Sequence, residues 1–401
     1  MTCSILRLSM QLPKRTLYIV AVIAVVLVSL GLRIYAAQRL DVDYDEPVYL
    51  DGGIIYANYM RAGDLKMLAW SEYNFEHPAL YKILYGVVLL THQPITRLPD
   101  KDLPRQAPIA TAAAGPWNIV DRYLSVFFGT LAVLFLALLD PLAGLLFGVN
   151  TLSVKYTSEV YLEALPLLGS LLCVLAYGRW FAEVSSTGGG SRRSIFWLLS
   201  SAVFFGITVA SKYIYGIVVL AIGLHFLIAL LRKQVPARLI LDMLGWGLLC
   251  VFMFFVFDPY LWPHPLARLQ QSILFHEAFQ ESRLVQMYHY PWWQPLLWLS
   301  AFAANYDLHP ASAFLVDIDT LIFILAIIGL PALFKRSRLF FYWLAIGLAF
   351  LLVWQTKWPQ YTVIILAPFS LSAACGLLTL WQFTQKLFAR RKPQAASAGT
   401  A

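Results

Sequence analysis

The chain has 401 residues, 60% hydrophobic, 15% aromatic and only 13% charged, with a mean hydropathy of +0.67. Apolar runs of about 20 residues, each enough to cross about 30 Å of hydrocarbon as helix, recur along it and exclude a soluble protein. The net charge of +8 does not argue for nucleic acid: Lys and Arg gather beside apolar runs (Lys14, Arg15; Arg192, Arg193; Arg232, Lys233, Arg238; Lys335, Arg336, Arg338; Arg390, Arg391, Lys392), which is the positive-inside pattern.

Backbone groups in lipid need partners within their own segment, so the expected fold is an all-α polytopic membrane protein with about ten transmembrane helices. The first run, residues 17–36, is longer than a signal-peptide core and lacks a small-residue cleavage site, so a retained anchor is expected. Further spans are expected at roughly 119–139, 141–157, 160–181, 195–211, 212–231, 239–258, 319–335, 338–355 and 361–386. Residues 79–92 would reach only about 21 Å as helix. Leaving them out of the count keeps every basic cluster cytoplasmic, so they are expected to lie at the outer surface or dip into it.

Two large non-cytoplasmic loops result, 37–118 and 259–318. The chain then divides into a transmembrane catalytic module (1–258), a second outer loop with amphipathic and aromatic segments (259–318), and C-terminal helices with a cytoplasmic tail (319–401). "SSTGGGSRRS" reads as a flexible cytoplasmic loop and "KPQAASAGT" as a frayed tail. Cys3, Cys173, Cys250 and Cys375 are too scattered for a metal site or a disulfide framework.

This topology collects Asp45, Glu46, Glu76, His77, Arg122, Glu159, Lys212, Asp258, His264 and Lys357 at the outer ends of helices, where a substrate would be met. In "DYDEP", Asp45 could cap a helix whose first position is Pro47. Capping needs one acid, whereas Asp41, Asp43, Asp45 and Glu46 repel one another and require a cation, a basic partner or water, which makes the cluster a candidate site. "NFEHPALYKIL" follows, with His77 and Pro78 opening a short helix and Glu76 and Lys82 near its mouth. Lys82 there could equally snorkel.

The order of Asp-Glu after the first span, Gly63-Asp64 about twenty residues on, a His-Pro helix, then "DRYLSVFFGTLAVL" with Arg122, resembles the protein O-mannosyltransferase and aminoarabinose transferase superfamily. The resemblance covers mainly residues 17–230, with a looser echo in "KWPQYTVIILAPFSLSAACGL". It departs where Ala79 stands in place of the family's frequent second proline. It implies the C-type glycosyltransferase fold and inverting transfer of a sugar, mannose-like or other, from a polyprenyl-phosphate donor to an acceptor hydroxyl on the non-cytoplasmic side of the cell membrane. Asp45 matches the family's catalytic Asp.

The implied roles agree with elementary chemistry. A lipid phosphate leaves without a general acid, but a hydroxyl acceptor needs a carboxylate base; that role falls to Asp45, with Glu46 orienting the acceptor or binding a cation. Arg122, Lys212, His77 and Lys357 are expected to hold the donor phosphate, although the cations could also snorkel. Glu159 and Glu163 sit four apart on one helical face. A second acid or acceptor contact is expected at Glu159 or Glu76, with Glu163 the deeper residue, and either Glu159 or Glu163 could pair with Arg122 or Lys155. Asp41 and Asp43 are expected to be solvated.

In the second outer loop, 265–285 is expected to form an amphipathic surface helix with Leu266, Leu269 and Ile273 on its apolar face. Trp292 and Trp293 read as an interfacial anchor or a sugar-stacking platform. His264, His276, His289 and His309 match no zinc spacing and are expected to contact phosphate or acceptor. The acidic cluster could hold Mg²⁺ or Mn²⁺. The partners implied are the lipid-linked donor, the bilayer, and a protein, glycan or lipid acceptor. The competing reading is a transporter or lipid-linked sugar flippase, which requires charges near the midplane and paired broken helices; the sequence shows no internal repeat.

Overall fold

A computed structural model describes residues 12–91, 116–187, 189–302 and 314–391, and all regular structure among them is helical. Helix α1 (Leu12–Arg39) leads through the acidic turn into α2 (Glu46–Arg61), α3 (Met67–Trp70) and α4 (Leu80–Leu89). At ten residues, about 15 Å, α4 is too short to cross a bilayer. It packs on α2 where Gly53 and Gly86 meet: a Cβ on Gly86 would lie 2.8 Å from the Gly53 carbonyl.

After α5 (Pro116–Leu139), the expected span 141–157 is not one helix. It breaks at Asn150, whose extended backbone separates α6 (Pro141–Val149) from α7 (Thr151–Tyr156). Broken helix ends inside a membrane need substitute partners. Asn150 caps α7 through Ser153 N, and the buried Asp319 carboxylate accepts from Asn150 Nδ2 (2.9 Å), Thr151 N (3.1 Å) and the Thr151 hydroxyl. From the other side Arg33 of α1 donates to Gly148 O (3.1 Å), Ser153 Oγ (2.7 Å) and Thr157 Oγ1 (2.8 Å).

Helices α8 (Ala164–Thr187), α9 (Arg192–Ser211), α10 (Val218–Leu231) and α11 (Leu239–Phe257) follow, with a 3₁₀ turn Tyr213–Ile217 between α9 and α10. Helix α8 is central: Leu167, Leu171, Val174 and Trp180 are at most 1% exposed. Helix α11 is peripheral and turns Leu244, Leu248, Val251 and Phe252 outward. The stretch after α11 comprises a 3₁₀ turn Pro259–Leu261, α12 (Pro265–Gln280), α13 (Arg283–Tyr288) and α14 (Gln294–Ala301). Helices α15 (Asp319–Arg336) and α16 (Arg338–Val353), a 3₁₀ segment Pro359–Ile365 and α17 (Leu366–Arg391) complete the fold. Gly329 and Gly376 let α15 and α17 approach until each backbone occupies the place a side chain would take, the small-residue packing of membrane helices.

Among the described residues, seven helical segments are long and apolar enough to cross a membrane, by length and composition. The expected spans 319–335 and 338–355 are helices of 18 and 16 residues, about 27 and 24 Å long. The acidic turn after α1, the start of α5, the 157–163 segment and the end of α9 converge at one end of the bundle. Arg336 at the end of α15 pairs with Asp140 between α5 and α6 (2.7 Å).

Helix α12 is amphipathic with its polar stripe inward. Arg268, Ser272 and His276, one turn apart, each bond a backbone carbonyl of the stretch between α3 and α4 or of α3 itself: Ala69, Phe75 and Glu76. Leu266 and Ile273 face outward while Leu269 packs inward, so the expected apolar face is divided. The aromatic anchor expected at Trp292 and Trp293 is exposed, its rings edge to face at 5.5 Å.

Candidate active site

The acidic turn sorts its four acids by partner. Glu46 is 1% exposed, and its two oxygens accept four hydrogen bonds: Oε1 from Arg122 Nε (2.8 Å) and Val160 N (2.7 Å), Oε2 from Arg122 Nη2 (2.5 Å) and Asp43 N (3.0 Å). Arg122 spends its remaining N–H groups on the carbonyls of Ala37 (2.9 Å), Leu40 (2.7 Å) and Asp41 (3.0 Å), where α1 ends. The guanidinium ties the end of α1 to the start of α2 and keeps no donor for a phosphate. Arg122 thus forms a clamp between α1 and α2, and it is the cation on Glu46.

Asp43 is not solvated. It is 3% exposed, its Oδ1 accepts from Tyr44 N (2.6 Å), and its Oδ2 takes Lys155 Nζ at 2.5 Å. Lys155 also bonds both oxygens of Glu159 (2.8 Å each) and lies over the rings of Tyr156 and Tyr161. Glu159, expected as the second acid, belongs to this triad. Glu163 instead pairs with Lys212, which sits between α9 and its 3₁₀ turn, its Nζ 5.5 Å from the Tyr361 ring centroid. Asp41 is exposed, as expected of an entrance residue.

Asp45 differs from its neighbours. It precedes α2, yet its side chain makes no capping bond, because its backbone is already helical (φ −88°, ψ −18°). Its carboxylate is half-buried and, among the described residues, receives one hydrogen bond, a long one from Gln360 Nε2 (3.3 Å) in the segment before α17. Withdrawal from water pushes this carboxyl up to about 7; Lys212 opposes the rise, and Asp43, Glu163 and Glu76 add to it. An acid poised near neutrality, without a dedicated counterion, is what proton abstraction requires.

His77 and Glu76 border the same region. His77 Nε2 lies 3.3 Å from Tyr49 Oη, and its ring faces His276 at 5.6 Å. Glu76 is buried, and its carbonyl fixes His276, whose imidazole burial holds below the usual range. Lys82, 1% exposed and lowered by burial to about 8, does not snorkel: it holds Asn74 O (2.6 Å), Asn74 Oδ1 (3.3 Å) and His77 O (2.9 Å). Lys357 donates to the carbonyls of Leu351 (3.0 Å), Leu352 (3.2 Å) and Trp354 (2.5 Å), which caps the end of α16. Of the other loop histidines, His264 stands edge-on to Trp70, His289 ends α13 in a left-handed conformation (φ 39°), and His309 lies outside the described residues.

Sequence reasoning missed Gln360, which only the "KWPQY" segment hinted at, and gave Lys155 no role of its own despite its helical spacing to Glu159. Among the described residues no three His, Cys, Asp or Glu side chains converge as a metal ligand set. Of the acids considered for Mg²⁺ or Mn²⁺, Glu46 takes Arg122 and Asp43 takes Lys155 as counterion.

No family model and no curated protein matches the sequence. Among solved structures, ArnT from Cupriavidus metallidurans matches over 94% of this chain at 16% identity, with a TM-score of 0.54 for the form bound to undecaprenyl phosphate and 0.50 for the apo state. The S. cerevisiae protein O-mannosyltransferase Pmt1-Pmt2 complex bound to the sugar donor shares 16% identity over 68% of this chain and 35% of its own, with a TM-score of 0.42. The match spans 63% and 62% of the two ArnT chains, less than two thirds. The chain therefore has the fold of ArnT, the all-helical polytopic membrane architecture that its sequence resemblance implied.

Proposed function

We propose that the protein is an inverting membrane glycosyltransferase that moves a sugar from a polyprenyl-phosphate donor to an acceptor hydroxyl on the non-cytoplasmic side, with Asp45 as general base. The observation that carries this reading is the contrast within the acidic turn: Glu46 and Asp43 are held by buried cations, whereas Asp45 has one long hydrogen bond and a carboxyl near neutral pH. Ionised, Asp45 takes the acceptor proton as the hydroxyl oxygen attacks the anomeric carbon; the bond from that carbon to the phosphate oxygen breaks, and its electrons leave on the phosphate.

Growing charge on the phosphate needs a cation with donors to spare. Lys212 meets that need, since among the described residues its Nζ donates to Glu163 alone; His77, beside Tyr49, is the second candidate for a phosphate contact. The ArnT bound to undecaprenyl phosphate supports a lipid-phosphate donor. The basic clusters, read by the positive-inside rule, support an outward-facing acidic end. Acids gathered at one end of the bundle support the enzyme over the flippase.

The test is transfer from a panel of labelled polyprenyl-phosphate sugars into membranes, comparing wild type with Asp45→Asn. Label transferred by wild type and lost in the variant supports the reading; transfer of no sugar, or equal transfer by both, overturns it.

A further inference from the structure

Three buried ionic groups lie around Asp45 among the described residues, and only one, Glu163–Lys212, contains a residue the proposed reaction invokes. The third, Asp43–Lys155–Glu159, is the most enclosed: the side chains of Lys155, Asp43 and Glu159 are 0%, 1% and 0% exposed. Lys155 is the last basic residue of α7, which exists as a separate helix because the chain breaks at Asn150. Its ammonium thereby reaches across to the acidic turn, while Glu159 opens the 157–163 segment whose Val160 N bonds Glu46 and whose Glu163 bonds Lys212. One lysine thus joins the turn that presents Asp45 to the segment that presents the two neighbouring carboxylates.

We propose that Lys155 is a positioning residue for Asp45: it fixes the 43–46 turn against the 157–163 segment and sets the negative charge that Asp45 faces. This rests on the proposed role of Asp45. The charge balance makes the device specific. Asp43, Asp45, Glu46, Glu159 and Glu163 carry five negative charges when ionised, and Arg122, Lys155 and Lys212 three positive ones. The Asp45 carboxyl faces Asp43, Glu163, Glu76, Lys212 and the phenols of Tyr49, Tyr161 and Tyr361. Removing Lys155 uncovers Asp43 and so favours protonated Asp45; removing the Asp43 charge alone does the reverse.

The test is an infrared difference titration of the Asp45 carboxyl in lipid nanodiscs, with Asp45→Asn as the subtraction, read beside the pH dependence of sugar transfer. Lys155→Met moves the midpoint up by about one pH unit, and Asp43→Asn moves it down by a similar amount. The pair Lys155→Met/Asp43→Asn, which restores the net charge of the triad, returns the midpoint to within about a third of a unit. Asp43→Asn keeps a carbonyl for Tyr44 N and leaves Lys155 paired with Glu159, so it folds if Lys155→Met does not. An unmoved midpoint in Asp43→Asn, or a double variant that stays shifted, overturns the proposal. The titration needs no turnover: if the midpoints move as stated and no sugar is transferred by any variant, the charge-setting device stands and the enzymatic reading fails.

Discussion

Replacing Arg122 by Met separates a clamp from a phosphate ligand. The change removes both donors to Glu46 and leaves that carboxylate, 1% exposed, with only Asp43 N and Val160 N. It also orphans the Ala37, Leu40 and Asp41 carbonyls at the end of α1. Breaking a buried pair by removing one partner costs about 3–5 kcal/mol. At about 2 °C per kcal/mol, suited to a large chain, Tm falls by about 6–10 °C. Arg122→Met/Glu46→Gln removes the stranded charge while keeping an acceptor for one amide, and recovers about half of that loss. The assay is thermal unfolding of purified protein in nanodiscs, followed by tryptophan fluorescence. If Arg122→Met loses sugar transfer while its Tm stays within about 1 °C of wild type, Arg122 is a substrate ligand and the clamp assignment is wrong.

Lys357→Met uncaps α16, lowering stability by about 1–2 kcal/mol in the same unfolding assay with no change in donor KM; a raised KM would return Lys357 to the phosphate site. Lys212→Met weakens binding of polyprenyl phosphate by about 10–100-fold, whereas Glu163→Gln, which releases Lys212, strengthens it; equal loss in both would argue for a purely structural pair. Asp45→Asn stabilises the protein at pH 8 by about 1–3 kcal/mol and leaves it unchanged at pH 4, measured as Tm. The sign follows from a folded-state carboxyl raised to about 7 from an ordinary value of 3.8: the native state binds the proton more tightly, so wild-type stability falls as pH rises through that window and is level above it.

Much of the fold is legible in the sequence because membrane helices write themselves as apolar runs. The break at Asn150 is not, since nothing in "LAGLLFGVNTLSVKY" outweighs its hydropathy and the acid that stabilises it, Asp319, lies 169 residues away. The site is legible as a cluster and illegible as a division of labour. Which acid is available depends on which cations reach the turn: Arg122 comes from 76 residues downstream of Glu46 and Lys155 from 112 downstream of Asp43. Only the pairing of Lys155 with Glu159 was written locally, in its one-turn spacing. Snorkelling was the ordinary expectation for Lys82 and Lys357, but chain reversals bring backbone carbonyls within reach of both, and a buried ammonium takes them.

The most direct measurement is kcat/KM for sugar transfer across pH in wild type and Asp45→Asn. Asp45 as base predicts a wild-type rate that rises through an acid limb near pH 7 and then levels, and a variant reduced by about 10²–10⁴-fold with that limb gone. A variant that keeps the limb, or loses less than about tenfold while remaining folded, contradicts it.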